Sequence, residues 1–543
     1  MRRARGTVIC VLGLAAVSAQ AAEVTLTVHG GQRAIFRGFG VNQVERWHKY
    51  DQIPAQKRKD LVAMMAAMKV RVLRIWADGL DSGTDISVAK SYFEAGYVTN
   101  GFLSDYISGV QDLVVVLSPW HWDNKNDEKT VPTDVKQYAK NIAELILWAK
   151  TTHKIEIHHT SVANEPGSWP QQMVRDGVKH LRQALDQRGL KKVGILAPDY
   201  SGAKPKAMQI IDLIKADSAA WAAVGGVSTH SYDMAATEAF ADLVADSSRE
   251  YWQTEASEVP NVPYEDYYTP TVVARILNDF NHRVSYWLYF NGFFAKKDRP
   301  QVLVYYNPTE KKTVVHWTYE AIKHLAEDLQ QGAATRRVTT SLTQKGDAPD
   351  MTYTYGQKPA LNAAAAQNPD GSWFLAVVND TDIPDEHYLV QKGGHKFYPA
   401  ATLDVVFEVE ELAAAGELAF RVRRSGKTSH TPADEGTVAM VGGRVTLKQL
   451  APWDLVTLVS TSPPSIDAGG APPDAGPPPL TDQGGGAPRV DHGAPAQEEG
   501  EASGCRLGAP TGPGPGPGPV LILLLILARR SGATAARAPR APR

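Results

Sequence analysis

Eight short apolar runs, rich in β-branched residues and separated by stretches of helical period, constrain this chain more than any other feature. The runs are Phe36–Asn42, Val70–Trp76, Leu113–Ser118, Ile155–Ala163, Lys192–Pro198, Gly226–His230, Tyr251–Thr254 and Val284–Tyr289. Between them lie candidate helices Ala55–Met68, Asp134–Thr151, Gln171–Gln187, Lys204–Ala216, Ala235–Ala245 and Thr271–Asn281; His316–Leu329 follows the last strand. Such alternation joins parallel strands through helical crossovers. Eight units spread over roughly 300 residues predict a closed barrel rather than an open sheet. The expected fold class is α/β, a (β/α)8 TIM barrel over residues 36–332.

The pattern changes after Gly332. Arg337–Leu342, Trp373–Asn379, Ala401–Glu408, Glu417–Val422 and Leu455–Val459 are short runs separated by turns. They predict an antiparallel β-sandwich domain over residues 333–461. Val24, Leu26 and Val28 alternate ahead of the barrel, so residues 22–35 are expected to lend a strand to that domain.

Both ends carry the marks of processing. Arg2, Arg3 and Arg5 precede the apolar stretch Val8–Val17 and the small-residue site Ala19-Gln20-Ala21, so residues 1–21 are expected to be a signal peptide. Cys10 leaves with that segment, and Cys505 alone remains, too few for an intramolecular disulfide or a Cys-based metal site. Residues 462–519 are dominated by Pro, Gly, Ala and Asp and are expected to form a disordered linker. The apolar run Val520–Ala528 and the basic tail from Arg529 complete residues 520–543. Together with Gly504-Cys505 they resemble the C-terminal sorting tags of myxobacterial surface proteins, which implies attachment at the cell surface. The net charge of −2 gives no electrostatic reason to expect nucleic acid as partner. The chain is expected to be a secreted or cell-surface monomer.

Catalytic groups on such a barrel sit at the C-terminal ends of strands. The fourth run ends in Val162-Ala163-Asn164-Glu165-Pro166 and the seventh in Trp252-Gln253-Thr254-Glu255. Two carboxyls so placed suit glycosidic cleavage: one protonates the departing oxygen and the other attacks the anomeric carbon. Glu165 then needs a proton near neutral pH, whereas Glu255 must stay ionised. Arg74, near the end of the second run, is a cation able to keep Glu255 charged. Tyr232, just past the sixth, offers the same carboxylate a phenolic donor, and Asn164 suits a sugar 2-hydroxyl.

These residues resemble clan A glycoside hydrolases, and within them family 30 most of all. The likeness rests on Arg37-Gly38-Phe39-Gly40, Leu117-Ser118-Pro119-Trp120, Asn164-Glu165-Pro166, His230-Ser231-Tyr232, Thr254-Glu255-Ala256 and the C-terminal β-domain. It implies net retention, with Glu165 as acid/base and Glu255 as nucleophile. The chain departs from the family pattern at Val41-Asn42-Gln43 and His121-Trp122-Asp123, which leaves sugar and linkage open.

Each residue has a plainer alternative. Asn164-Glu165-Pro166 is also a helix-start turn, and Glu258 rivals Glu255 from beyond the strand end. His230 reads equally as a satisfied core histidine. Trp120 and Trp287 are expected to stack on sugar faces, against core packing as the alternative. No His, Asp or Glu cluster has a metal-ligand spacing, so neither metal nor cofactor is expected. A barrel that binds carbohydrate without turning it over is the rival function.

Overall fold

The computed structural model describes residues 22–463, except 45–48, 82, 121, 124–127, 130, 233, 248, 258–263, 296–300, 343–359 and 384–398. The expected leader, nearly all of the expected linker, the C-terminal tail, His121 and Glu258 therefore lie outside the described residues.

The apolar runs become Gly38–Gln43, Val70–Ala77, Val114–Pro119, His159–Ser161, Gly194–Tyr200, Gly226–Thr229, Glu250–Ala256 and Val284–Tyr289. They pair in parallel in chain order, and the eighth closes on the first through Tyr286–Tyr289 against Gly38–Val41. The expected (β/α)8 barrel is the fold. Helices Ala55–Ala67, Val135–His153, Gln171–Gln187, Pro205–Ala216, Glu238–Ala245 and Tyr268–Asn281 surround it close to their expected bounds. Two short helices between the second and third strands, Ser87–Phe93 and Phe102–Gly109, escaped the sequence pattern.

Helix-to-strand turns are made with left-handed residues. Lys69, Asp112, Lys154, Gly189 and Arg283 all have positive φ just after a helix and before the next strand or strand approach. Only one of them is glycine, so the usual stop signal of a helix is mostly missing from the sequence. The fourth strand is also shorter than its apolar run, because the ladder to its neighbours spans only His159–Ser161.

Below the barrel mouth, alternate strand residues face the interior and fill it in layers. Val72, Val116, Leu196, Trp252 and Leu288 form an apolar plug. Gly40 belongs to the same level: a Cβ there would lie 2.7 Å from Leu288 Cγ and 2.7 Å from Val72 Cβ. Two residues further along, Asn42, Arg74 and Ser118 are buried and polar. Two further still, Val44, Trp76 and Trp120 join Phe290 and Tyr232 in an aromatic collar.

The β-domain consists of two sheets. One has the order Val338–Thr340, Ala22–Val28, Leu403–Val409, Arg444–Leu450; the other runs Ala334–Arg336, Leu361–Gln367, Trp373–Asn379, Leu455–Ser460, Leu418–Gly426, Ser429–Met440. Val24, Leu26 and Val28 point into the core between them. The expectation of antiparallel pairing fails at one place, where Ala22–Val28 runs parallel to Leu403–Val409. A parallel pair needs a long crossover, and here the whole barrel supplies it. Asp328, at the end of helix Trp317–Asp328, joins barrel to β-domain. Its Oδ1 accepts from Arg421 at 2.8 Å and Arg423 at 3.0 Å, and its Oδ2 from Thr457 at 2.5 Å. Helix Tyr268–Asn281 is buried on all sides from Tyr268 to Phe280, sandwiched between barrel and β-domain.

The plug has no room at Gly40. Gly40→Ala should lower unfolding free energy by about 1–3 kcal/mol with an unchanged m-value in a urea titration. An unmoved midpoint would show that the layer has slack.

Candidate active site

Arg74 stands one layer above the plug, its side chain 1% exposed. Its Nη1 donates to Asn42 Oδ1 and to Glu255 Oε2, each at 2.7 Å. Its Nη2 donates to Ser118 Oγ at 2.7 Å, Asn164 Oδ1 at 2.8 Å and Asp199 Oδ2 at 2.9 Å. The Trp76 indole lies 4.6 Å from the guanidinium carbon. The acceptors come from the first, third, fourth, fifth and seventh strands or the turns that follow them, so one side chain ties most of the barrel mouth together.

Strict alternation would not bring two of these carboxylates inside. Trp252 faces the interior, which puts Thr254 inside and sends Glu255 toward the helices. The seventh strand, however, shifts register against the eighth between Gln253 and Ala256. That bulge lets Thr254 and Glu255 both turn inward. A second shift, between Pro198 and Tyr200 against the sixth strand, does the same for Asp199.

Glu165 is placed by its backbone. It adopts φ 50°, a left-handed conformation uncommon for a residue with a side chain. Its N–H donates to the Asp199 carbonyl at 2.9 Å, and the Asn164 N–H donates to the Pro119 carbonyl at 3.1 Å. Flanking strand ends thus hold a conformation that costs about 1–3 kcal/mol by itself. His230 Nδ1 lies 3.0 Å from Glu165 Oε1, while its Nε2 stands 3.7 Å from both Asp199 Oδ1 and Glu255 Oε2. Tyr232 donates its hydroxyl to Glu255 Oε1 at 2.9 Å.

Burial alone would lower the His230 pKa, but Glu255, Asp199 and Glu165 outweigh it and push it up to about 9. Burial likewise works against the Asp199 carboxylate, yet Arg74, His230 and Thr254 hold it well below the usual range. Glu255 is raised by its burial and by the nearby Glu165, with His230, Arg74 and Tyr232 pulling it back. Burial and Glu255 keep the Tyr232 phenol protonated, and so a donor.

The sequence-predicted residues fall as follows. Glu165, Glu255, Arg74, Asn164, Tyr232 and His230 converge on one cluster, and His230 faces carboxylates instead of serving as an inert core residue. Trp120 stands in the aromatic collar, 4.6 Å from Trp76 between ring centroids. Trp287 is a correction: it is fully buried, and its indole N–H donates to Asp279 on helix Tyr268–Asn281 at 2.9 Å. Its place in the strand turns it away from the interior, so it packs between strand and helix and offers no face to a sugar. Sequence reasoning missed Asp199, Asn42, Ser118 and Thr254 as partners of the cluster. An acid at the end of the fifth apolar run was a legible signal for Asp199, obscured by the bulge that re-aims it.

Among the described residues, Glu165, His230 and Glu255 are the one group whose ligand atoms lie close enough, within 4.8 Å of one another, to hold a cation. A cation there would lie beside the Arg74 guanidinium, which already donates to Glu255 at 2.7 Å.

The sequence profile of glycosyl hydrolase family 59 matches residues 111–344, a stretch that includes Glu165, His230, Tyr232 and Glu255. No curated protein matches the sequence. Solved structures share the fold at low identity. The catalytic domain of a GH30 xylanase C from Talaromyces cellulolyticus is 14% identical with a TM-score of 0.56, covering 81% of this chain and 100% of that one. A GH30 endoxylanase from Clostridium papyrosolvens C71 is 14% identical with a TM-score of 0.53, over 81% of this chain and 100% of its own. The endo-β-1,6-glucanase BT3312 gives 14% and 0.53, over 81% and 94%. The likeness to family 30 is therefore one of fold, while the sequence match is to family 59. The solved structures share the barrel-plus-β-domain fold, and the family 59 match over residues 111–344 is what supports a glycosidase-type function.

Proposed function

We propose that the chain is an exported, retaining β-glycoside hydrolase in which Glu255 is the nucleophile and Glu165 the acid and then the base. One observation carries the reading: an oxygen of Glu165 and an oxygen of Glu255 lie within 4.8 Å of each other at the barrel mouth. Retaining enzymes hold their carboxyls about 5–5.5 Å apart, and inverting ones about 6.5–9.5 Å to admit water. The spacing supports retention.

Charge supports the division of roles. Arg74 and His230 supply two cations against the carboxyls of Asp199, Glu255 and Glu165, so the cluster is neutral when one carboxyl keeps a proton. Burial and Glu165 raise Glu255, but Arg74 and Tyr232 each donate to one of its oxygens, and it is these two donors that favour its anion. The side chain of Glu165 is 19% exposed against 6% for Glu255 and 1% for Asp199, so it is the one open to a departing group. In the first step a Glu255 oxygen bonds to the anomeric carbon as the glycosidic bond breaks, and the Glu165 proton passes to the leaving oxygen. In the second, water attacks that carbon, Glu165 takes its proton and the bond to Glu255 breaks. Arg74 holds the Asn164 amide oxygen, which leaves its NH2 to meet a 2-hydroxyl. Trp120 in the collar is suited to stack on a sugar face.

The solved relatives are named as xylanases and an endo-β-1,6-glucanase. Their names support a β-linked polysaccharide or glycoside as substrate. The leader and sorting-tag-like tail support action outside the cell, at its surface.

Glu255→Gln should reduce turnover of aryl β-glycosides to background while leaving the fold intact by circular dichroism. A 2-fluoro glycoside should add one sugar to the wild-type mass, mapping to Glu255; an adduct on Glu258 would reassign the nucleophile. Glu165→Gln should cut kcat/KM by about 10²–10⁴-fold on substrates with poor leaving groups. It should spare glycosylation by dinitrophenyl glycosides, whose leaving oxygen needs no proton; equal losses on both would remove Glu165 from the acid role.

A further inference from the structure

We infer that Asp199 is a positioning residue that neutralises one of the cluster's two cations and thereby keeps the proton on Glu165. The inference rests on the glycosidase reading above. With its side chain 1% exposed, Asp199 has no surface to offer a sugar. Its polar groups are committed to the site instead. Oδ2 accepts from Arg74 Nη2 at 2.9 Å and Oδ1 from Thr254 Oγ1 at 2.6 Å. Its N–H donates to Ser228 Oγ at 3.1 Å, and its carbonyl accepts the N–H of Glu165 at 2.9 Å. The same residue therefore fixes the Glu165 backbone and the charge of Arg74.

The charged groups around it come from several elements. Arg74 approaches from the second strand, and His230 follows the sixth, its Nε2 3.7 Å from Asp199 Oδ1. Glu255, on the seventh, shares both of those cations. Glu165 follows the fourth strand and sees the group through His230 and the backbone link. With Asp199 ionised, two cations face two carboxylates, and a protonated Glu165 leaves the cluster neutral. Remove that one negative charge and a protonated Glu165 leaves a positive charge in excess; ionising Glu165 cancels it. Glu165 would then have no proton for the leaving oxygen. A like charge held in the same buried cluster raises a carboxyl's pKa, and the Asp199 charge reaches Glu165 across the His230 ring, 3.7 Å from the one and 3.0 Å from the other.

Asp199→Asn keeps the side-chain shape and tolerates the φ of 55° found here, because Asn accepts left-handed backbone. On an aryl β-glycoside with a poor leaving group, both limbs of the kcat/KM–pH bell should move to lower pH in this variant. The alkaline limb should move by roughly one pH unit or more. Glycosylation by a dinitrophenyl glycoside should keep its alkaline behaviour. A lowered kcat with both limbs unmoved would reduce Asp199 to a purely structural role and overturn the inference alone. A wild-type protein inactive on every aryl β-glycoside tried would overturn the glycosidase reading and this inference with it. Histidine ¹⁵N NMR of the wild-type protein needs no variant: His230 should stay cationic at neutral pH and titrate near 9. A neutral His230 imidazole at neutral pH would break the charge count and overturn the inference.

Discussion

A guanidinium sealed from water is tolerable only if its donors find acceptors and its charge finds a counter-charge, and the site depends on that condition being met at Arg74. Five acceptors from different strands converge on its two terminal nitrogens. Removing one partner of such a buried pair costs about 3–5 kcal/mol, because the remaining charge is left uncompensated. The cluster is therefore held as a unit. Asn42 fixes the first strand to it by donating to the carbonyls of Thr254 and Tyr289 as well. The nucleophile candidate is thus positioned by the same interaction that closes the top of the barrel.

What lies beneath makes that possible. The plug of Val72, Val116, Leu196, Trp252 and Leu288 excludes water from below, and Gly40 and Gly226 are there because the larger side chains leave no space for a Cβ. Trp252 extends the packing downward, stacked on Tyr286 at 3.7 Å and against His159 at 4.8 Å. Above the cluster stands the aromatic collar, and Glu165 is the carboxyl that reaches solvent, its side chain 19% exposed. Apolar floor, charged middle and aromatic rim follow one another at two-residue intervals, so layering along each strand orders the chemistry.

The β-domain stabilises the barrel from outside. Asp328 is buried beneath Arg421, Arg423 and Thr457, and His324 bonds Thr457 at 2.8 Å, so the join relies on charge-assisted hydrogen bonds as well as apolar contact. The fully buried helix Tyr268–Asn281 carries Asp279, which accepts from Trp287 and from the Ala236 N–H at 2.9 Å each. Ala236 lies in the loop that follows His230 and Tyr232, so this contact also steadies the side of the mouth that bears them.

The sequence by itself determined the barrel, because eight apolar runs with helical spacers bury themselves in few other ways. It also determined the candidate chemistry, because Glu165, Glu255, Arg74 and Tyr232 fall at strand ends in countable register. Helix stops were less legible, since Lys69, Asp112, Lys154 and Arg283 take conformations that sequence assigns to glycine. Tertiary structure decided which way side chains face. Trp287 lies between the inward-facing Tyr286 and Leu288 and so falls on the helix side, and a tryptophan near a strand end became core. Asp199 and Glu255 turn inward only because their strands slip register against their neighbours. A two-residue period carries no information about where a strand will bulge, because a bulge is set by pairing with a partner far away in the chain.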